Sequence, residues 1–310
     1  MLQQTYYAIF QFMKPAELNA GRISGRFGYN IAMKQRHQWP PAILLQSPLF
    51  APLHPLLERM KCTEFPTLHD WNRLLEGHYQ GIAVQSDHAL RFVPQAQGKL
   101  GFESQYEPRC FLSGEVQTRE NNWHDLFNAL VWLTFPNAKA AINARHYQAL
   151  KTADEAAASQ RGRVRDMATL LDESGVIVAS ADTGLTQLLQ NFQWKELFWQ
   201  RREQIRTNMG FYIFGHGLYE KALQPYVGMT GQGLLVKVEQ EFFNWDLADR
   251  LAHLDKCVAD YLNRPEQCKT TAELHPVPLL GVPGWSEANE QASYYDNTAY
   301  FRAGRSNAAK

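Results

Sequence analysis

Apolar positions recur with helical spacing in several stretches of the chain. NWHDLFNALVWLTF puts Trp123, Phe127, Leu130 and Val131 on one face, and Asn121 or Asn122 stands where an N-cap belongs. Pro136 ends that helix. The alanine-rich NAKAAINARHYQAL predicts another at once, capped by Asn137, so the two should pack antiparallel across a very short turn. WDLADRLAHLDKCVADYLN lines up Leu247, Leu251, Leu254, Val258 and Leu262 in one stripe. Shorter helices are predicted over Leu53 to Met60 and FPTLHDWNRLLEG, the latter capped by Thr67 or Asp70 and stopped by Gly77. LTQLLQNF and WKELFWQRREQI read as helix too. Residues 151–166 read as a polar connection. Strand signals are shorter: GIAVQ, ALRFVP, GQGLLVKVE, and MATLLDESGVIVAS, which reads as a hairpin turning over Asp172 to Gly175. The tail VPLLGVPGWSEANEQASYYDNTAYFR should wrap the body in an extended path. The pattern predicts a helix-dominated α+β fold with a small antiparallel sheet. A single domain is expected over residues 39–302, after a loosely ordered extension (1–38) and before a tail (303–310).

Composition narrows this picture mainly by exclusion. The 310 residues carry 31 Lys and Arg against 31 Asp and Glu, which argues against bulk DNA binding and against a polybasic membrane surface. Apolar content is ample for a packed core, so global disorder is excluded. No stretch approaches the ~20 apolar residues of a membrane span. The N-terminus lacks the basic start of a signal peptide. A cytoplasmic protein is expected. Cys62, Cys110, Cys257 and Cys268 form no C-x-x-C pair and are expected as free thiols.

Candidate chemistry centres on histidine. If the two consecutive helices lie side by side about Phe135-Pro136, Asn128 falls opposite Asn143 and His124 opposite His146 or Tyr147. That patch holds two imidazoles, two carboxamides and Asp125 at its edge, fit for a divalent metal or for acid–base work. A structural role, with the amides tying the helices together, explains the same residues. Gly215-His216-Gly217 forms a second element, with Glu220 one helical turn on and glycines that admit a close neighbour. Packing at a tight helix start is its structural counterpart. Asp172 and Glu173 suit a turn, and Asp182 either caps a helix or supplies a carboxylate. Arg109 and Arg202 are candidates for binding an anionic substrate, although a solvated helix face accounts equally for Arg202. The residues thus point to His124, Asp125, His146 and His216 as catalytic, Asn128, Asn143, Arg109 and Arg202 as substrate-binding, and His124, His146, His216, Asp182 and Glu220 as possible ligands of a divalent metal. His124-Asp125 also spells the pair of HD phosphohydrolases, but His69 and His88 are poor candidates for the upstream metal histidine.

TRENNWHDLFNALVWLTFPNAKAAINARH, LLDESGVIVASAD, FGHGLYEKALQP and LLGVPGW…ANE…YYD…FR together resemble a bacterial family labelled domain of unknown function 3025. The resemblance spans about residues 40–302. It implies one domain, and it transfers no activity and no catalytic residues. The expected function is a cytosolic, metal- or His/Asp-dependent hydrolase with a histidine-centred cleft and a small-molecule substrate. The alternative is a non-catalytic protein- or RNA-binding module using its many aromatic side chains.

Overall fold

The computed structural model describes residues 39, 42–77, 81–98, 101–151, 158–264 and 266–304, and the side chains of 158–161 are outside the description. The proposed extension 1–38 and most of the proposed tail lie outside the described residues.

In chain order the elements are α1 (Ala42–Gln46), α2 (His54–Arg59), α3 (Leu68–Glu76), β1 (Arg91–Pro94), α4 (Tyr106–Ser113), β2 (Glu115–Thr118), α5 (Trp123–Thr134) and α6 (Pro136–Lys151). There follow α7 (Ala158–Ser174), β3 (Gly175–Ser180), α8 (Thr183–Gln190), α9 (Arg202–Asn208), β4 (Met209–Ile213), α10 (His216–Ala222), β5 (Thr230–Lys237), α11 (Leu247–Asn263) and β6 (His275–Pro278). Helices dominate an α+β fold. β1 and β2 pair in parallel. The main sheet has the order β4-β3-β5-β6; its outer pairings are antiparallel and its central one, β3 with β5, is parallel. The sheet is therefore mixed, where hairpin signals predicted an antiparallel one.

The expected hairpin is the main correction. Residues 167–174 are the end of α7, not a strand, and Gly175 starts β3 with no loop between. Met167, Ala168 and Leu171 are buried at helical spacing, so packing overrides the turn chemistry of Asp172-Glu173-Ser174-Gly175. Much of the expected polar connection at 151–166 likewise belongs to α7. All six residues of β3 are buried, as befits a strand covered on both faces.

One hydrophobic cluster runs from Trp39 to Phe301. Leu251, Leu254, Val258 and Leu262 bury the expected stripe of α11, mainly against α6. Among the described residues most aromatics are in the core, and the exposed large apolar side chains are Leu45, Phe102, Tyr226, Val227 and Trp245. All four cysteines are free. No described helix is long and apolar enough to cross a membrane.

Candidate metal centre

Sheet topology brings the chemistry together. β3 and β4 are antiparallel with Val176 opposite Ile213, so the start of β3 lies beside the end of β4. The residues just before β3, Asp172 and Glu173, therefore meet those just after β4, Gly215 to Gly217. The Gly175 carbonyl accepts from the amides of both Phe214 and Gly215 at 2.9 Å, fixing this junction. The G-H-G motif follows from the closeness of approach. A Cβ on Gly215 would stand 2.5 Å from the amide nitrogens of Ser174 and Gly175, and one on Gly217 would stand 2.3 Å from Glu173 Oε2.

α5 supplies the other histidine. Asn122 caps it, accepting from the Asp125 amide at 3.0 Å. Phe50, Phe127 and Tyr219 stack at centroid distances of 5.7–5.8 Å and lock α5 against α10. His124 and His216 then meet edge to face, 4.5 Å between centroids, with their Nε2 atoms 3.0 Å apart. Glu173 Oε1 lies 3.4 Å from His216 Nε2 and 3.9 Å from His124 Nε2. Each Nδ1 faces a carboxylate: Glu220 Oε2 at 3.2 Å from His124, and Asp172 Oδ2 at a long 3.6 Å from His216. The His216 side chain is 7% exposed, whereas those of His124, Glu173 and Glu220 are 33%, 43% and 39% exposed, so the group opens to the surface on one side.

A buried cation stands behind Asp172. Lys139 Nζ donates to Asp172 Oδ1 at 2.5 Å and to Asn128 Oδ1 at 2.9 Å. Burial works against the Asp172 carboxylate, but Lys139 and His216 outweigh it and hold its pKa far below the usual range. Burial likewise favours a neutral His216, yet Asp172 and then Glu173 push its pKa up to about 9. A hydrogen bond from His216 is the main cause that lowers Glu173.

With a carboxylate facing each Nδ1, a ring that carries its single proton there turns its Nε2 lone pair toward the other ring. Two lone pairs at 3.0 Å repel unless a proton or a cation lies between them. With Glu173 Oε1 the three donor atoms fall within 4.8 Å of one another, the one such group among the described residues. Donors 3.0–3.9 Å apart subtend about 90° to about 135° when each sits about 2.1 Å from one ion, a range a divalent first-row metal accepts. Two histidines and a carboxylate form a known ligand set for both zinc and non-haem iron.

The expected site residues divide. His124, His216 and Glu220 belong to the cluster. His146 does not: it is buried on α6, on the side of Glu107 of α4. The assumed side-by-side helix pair fails because Phe135 alone links α5 to α6, and α6 packs chiefly on α11, α7 and α4 rather than along α5. Asn143 accordingly donates to Glu107, at 2.6 Å to the carboxylate, and Asn128 donates to Tyr106 Oη at 2.8 Å, not to each other. Asp125 accepts from the amide, Nε and Nη2 of Arg119, which takes it out of any HD pair with His124. Asp182 caps α8, accepting from Gly184 and Leu185. It lies beyond the far end of β3, about 20 Å from Glu173 at the rise of a strand. Arg109 pairs with Glu115, and Arg202 pairs with Glu290 while lying over the Trp199 ring. Glu173, Asp172 and Lys139 join the cluster without having been placed in it from the sequence. Concavities lined by Arg59, Phe65 and Asp70, by Leu56, Asn137 and Leu251, and by Trp194, Pro278 and Tyr300 include neither His124 nor His216.

The family model described as "Protein of unknown function (DUF3025)" matches residues 90–305. Neither the curated proteins nor the solved structures give a match.

Proposed function

The chain belongs to this family of unknown function, DUF3025, and we propose that it is a metal-dependent enzyme of hydrolytic type, with His124, His216 and Glu173 as the cation's ligands. The observation that carries this reading is the 3.0 Å approach of the two Nε2 atoms, each imidazole backed by a carboxylate and flanked by Glu173. Two histidines acting as separate acid and base on a substrate need room for it between them, and 3.0 Å leaves none. A single ion fits there.

A divalent cation at this point supplies a Lewis acid and draws the pKa of water toward neutrality. Asp172 and Glu220 hold the imidazoles in the liganding tautomer. Glu220 and Glu173 also stand at the exposed rim, where a carboxylate can take a proton from an incoming nucleophile. A small-molecule substrate and placement in the cytoplasm go with this function, in a single domain over residues 39–302.

Elemental analysis of the purified protein tests it, together with isothermal titration of zinc into chelator-treated protein. About one equivalent of metal per chain is expected, lost in His124→Ala, His216→Ala and Glu173→Gln while Asp182→Ala and His146→Ala retain it. Protein free of metal that takes up no zinc, manganese or ferrous iron would sink the proposal and leave a proton shared between the rings.

A further inference from the structure

Resting on that cation site, we propose that Lys139 is a positioning residue for it: through Asp172 it holds His216 with Nδ1 protonated and the Nε2 lone pair aimed at the ion. Lys139 is 3% exposed, so it reaches neither solvent nor substrate. Burying an ammonium costs several kcal/mol unless it is well paired, and this one is spent on two specific acceptors. Asp172 accepts at Oδ1 from Lys139, which sets the carboxylate with Oδ2 3.6 Å from His216 Nδ1, a buried nitrogen without a hydrogen bond of its own, so the carboxylate stands between cation and imidazole. Lys139 is itself fixed. Its Nζ lies 5.5 Å from the centre of the Trp132 ring and donates to Asn128, whose amide is oriented by its bond to Tyr106 Oη. The result is a line of side chains, Tyr106–Asn128–Lys139–Asp172–His216, which reaches from α4 through α5, α6 and α7 to α10. An acid holding a metal-bound histidine needs a defined orientation, and here the interior supplies it.

A merely structural Lys139–Asp172 pair tying α6 to α7 would contribute to stability alone. The two roles separate in a double-mutant cycle on the full chain, with zinc affinity read by competition against a chromophoric chelator. Lys139→Met is expected to weaken zinc binding 10- to 100-fold. The Lys139→Met/Asp172→Asn double variant should bind no more weakly than Asp172→Asn, because Lys139 acts through Asp172. Asn143→Ala, an equally buried amide on the same helix bonded to Glu107, should lower the melting temperature and leave zinc affinity unchanged. Wild-type zinc affinity in Lys139→Met, or losses that multiply in the double variant, overturns the proposal. If Lys139→Met alone fails to fold because Asp172 is stranded in the interior, the double variant removes both charges, and its comparison with Asp172→Asn still decides.

Should the wild-type chain bind no zinc, the metal reading fails by itself, and the His216 tautomer in the metal-free protein tests Lys139 separately. Long-range ¹H–¹⁵N correlations of the neutral ring should show Nδ1–H in the wild type and a shift toward Nε2–H in Lys139→Met. An unchanged tautomer overturns the role.

Discussion

Consecutive residues face the two nitrogens of His216, Asp172 at 3.6 Å from Nδ1 and Glu173 at 3.4 Å from Nε2. That arrangement depends on two positions without side chains. At Gly217 the nearest obstacle to a Cβ is the end of the Glu173 side chain, which can swing aside, with the Glu173 carbonyl oxygen next at a tight 3.1 Å. Gly217→Ala should therefore cost little stability, within about 1 kcal/mol, but weaken metal binding at least tenfold by displacing the carboxylate. At Gly215 the obstacle is the backbone of Ser174 and Gly175. Gly215→Ala should lower stability by about 1–3 kcal/mol, the usual cost of overpacking. Urea unfolding beside zinc titration of the two variants checks the contrast; equal effects on both readouts would contradict it. Of these residues, His124, His216 and Glu220 were legible because histidine and paired glycines stand out in a chain. Asp172 and Glu173 were not, since adjacent acids before Ser-Gly carry the chemistry of a turn. Lys139 was hidden among alanines, where a lone lysine reads as solvated.

Element boundaries were legible where caps and apolar spacing agreed. Asn122, Thr67 and the stripe of α11 are of this kind. They were lost where tertiary contact decides, as at the junction of α7 with β3 and in the angle between α5 and α6. That angle depends partly on Asp255 of α11, which accepts from the amides of Asn137 and Ala138 and from the Asn137 side chain at 2.7–3.1 Å, at the start of α6. Asn137 therefore does not cap α6 itself, as its place in the sequence suggested; it bonds the residue that does. Burial raises the Asp255 pKa to about 6, against the lowering effect of those hydrogen bonds. A pKa raised above its unfolded value contributes stability that is fully present below about pH 4 and is lost as pH rises through about 6. Relative to Asp255→Asn, the wild type should lose up to about 3 kcal/mol between pH 4 and pH 7, since each pKa unit is worth about 1.4 kcal/mol. Urea unfolding at both pH values measures this, and a constant difference between the two proteins would rule it out.

At the scale of the molecule, the proposed ligands come from three separated stretches: His124 opens α5, Glu173 ends α7 and His216 opens α10. An ion bound to all three ties these stretches in the folded state only. At a free zinc concentration 100 times the dissociation constant, linkage stabilises the fold by about 2.7 kcal/mol, or about 5–10 °C in melting temperature for a domain of this size. Differential scanning calorimetry with and without a chelator should show that shift in the wild type and none in His124→Ala. A chelator-insensitive wild type would mean that no ion clamps the three. The fold class was readable from the balance of helical and strand signals, because it depends on many residues at once. Strand order was not, because the parallel pairing of β3 with β5 is made by residues 57 positions apart.

The direct passage of α7 into β3 has a consequence for inheritance as much as for chemistry. With no loop there, the junction has no slack in its length. One residue added or removed just before Gly175 turns the preceding acids by about 100° around the helix relative to the strand. The same change within β3 would send its following side chains to the opposite face of the sheet. Point substitutions alter one side chain at a time, but an insertion or deletion here misplaces the acids and the core together. What this short stretch encodes most strictly is a count of residues.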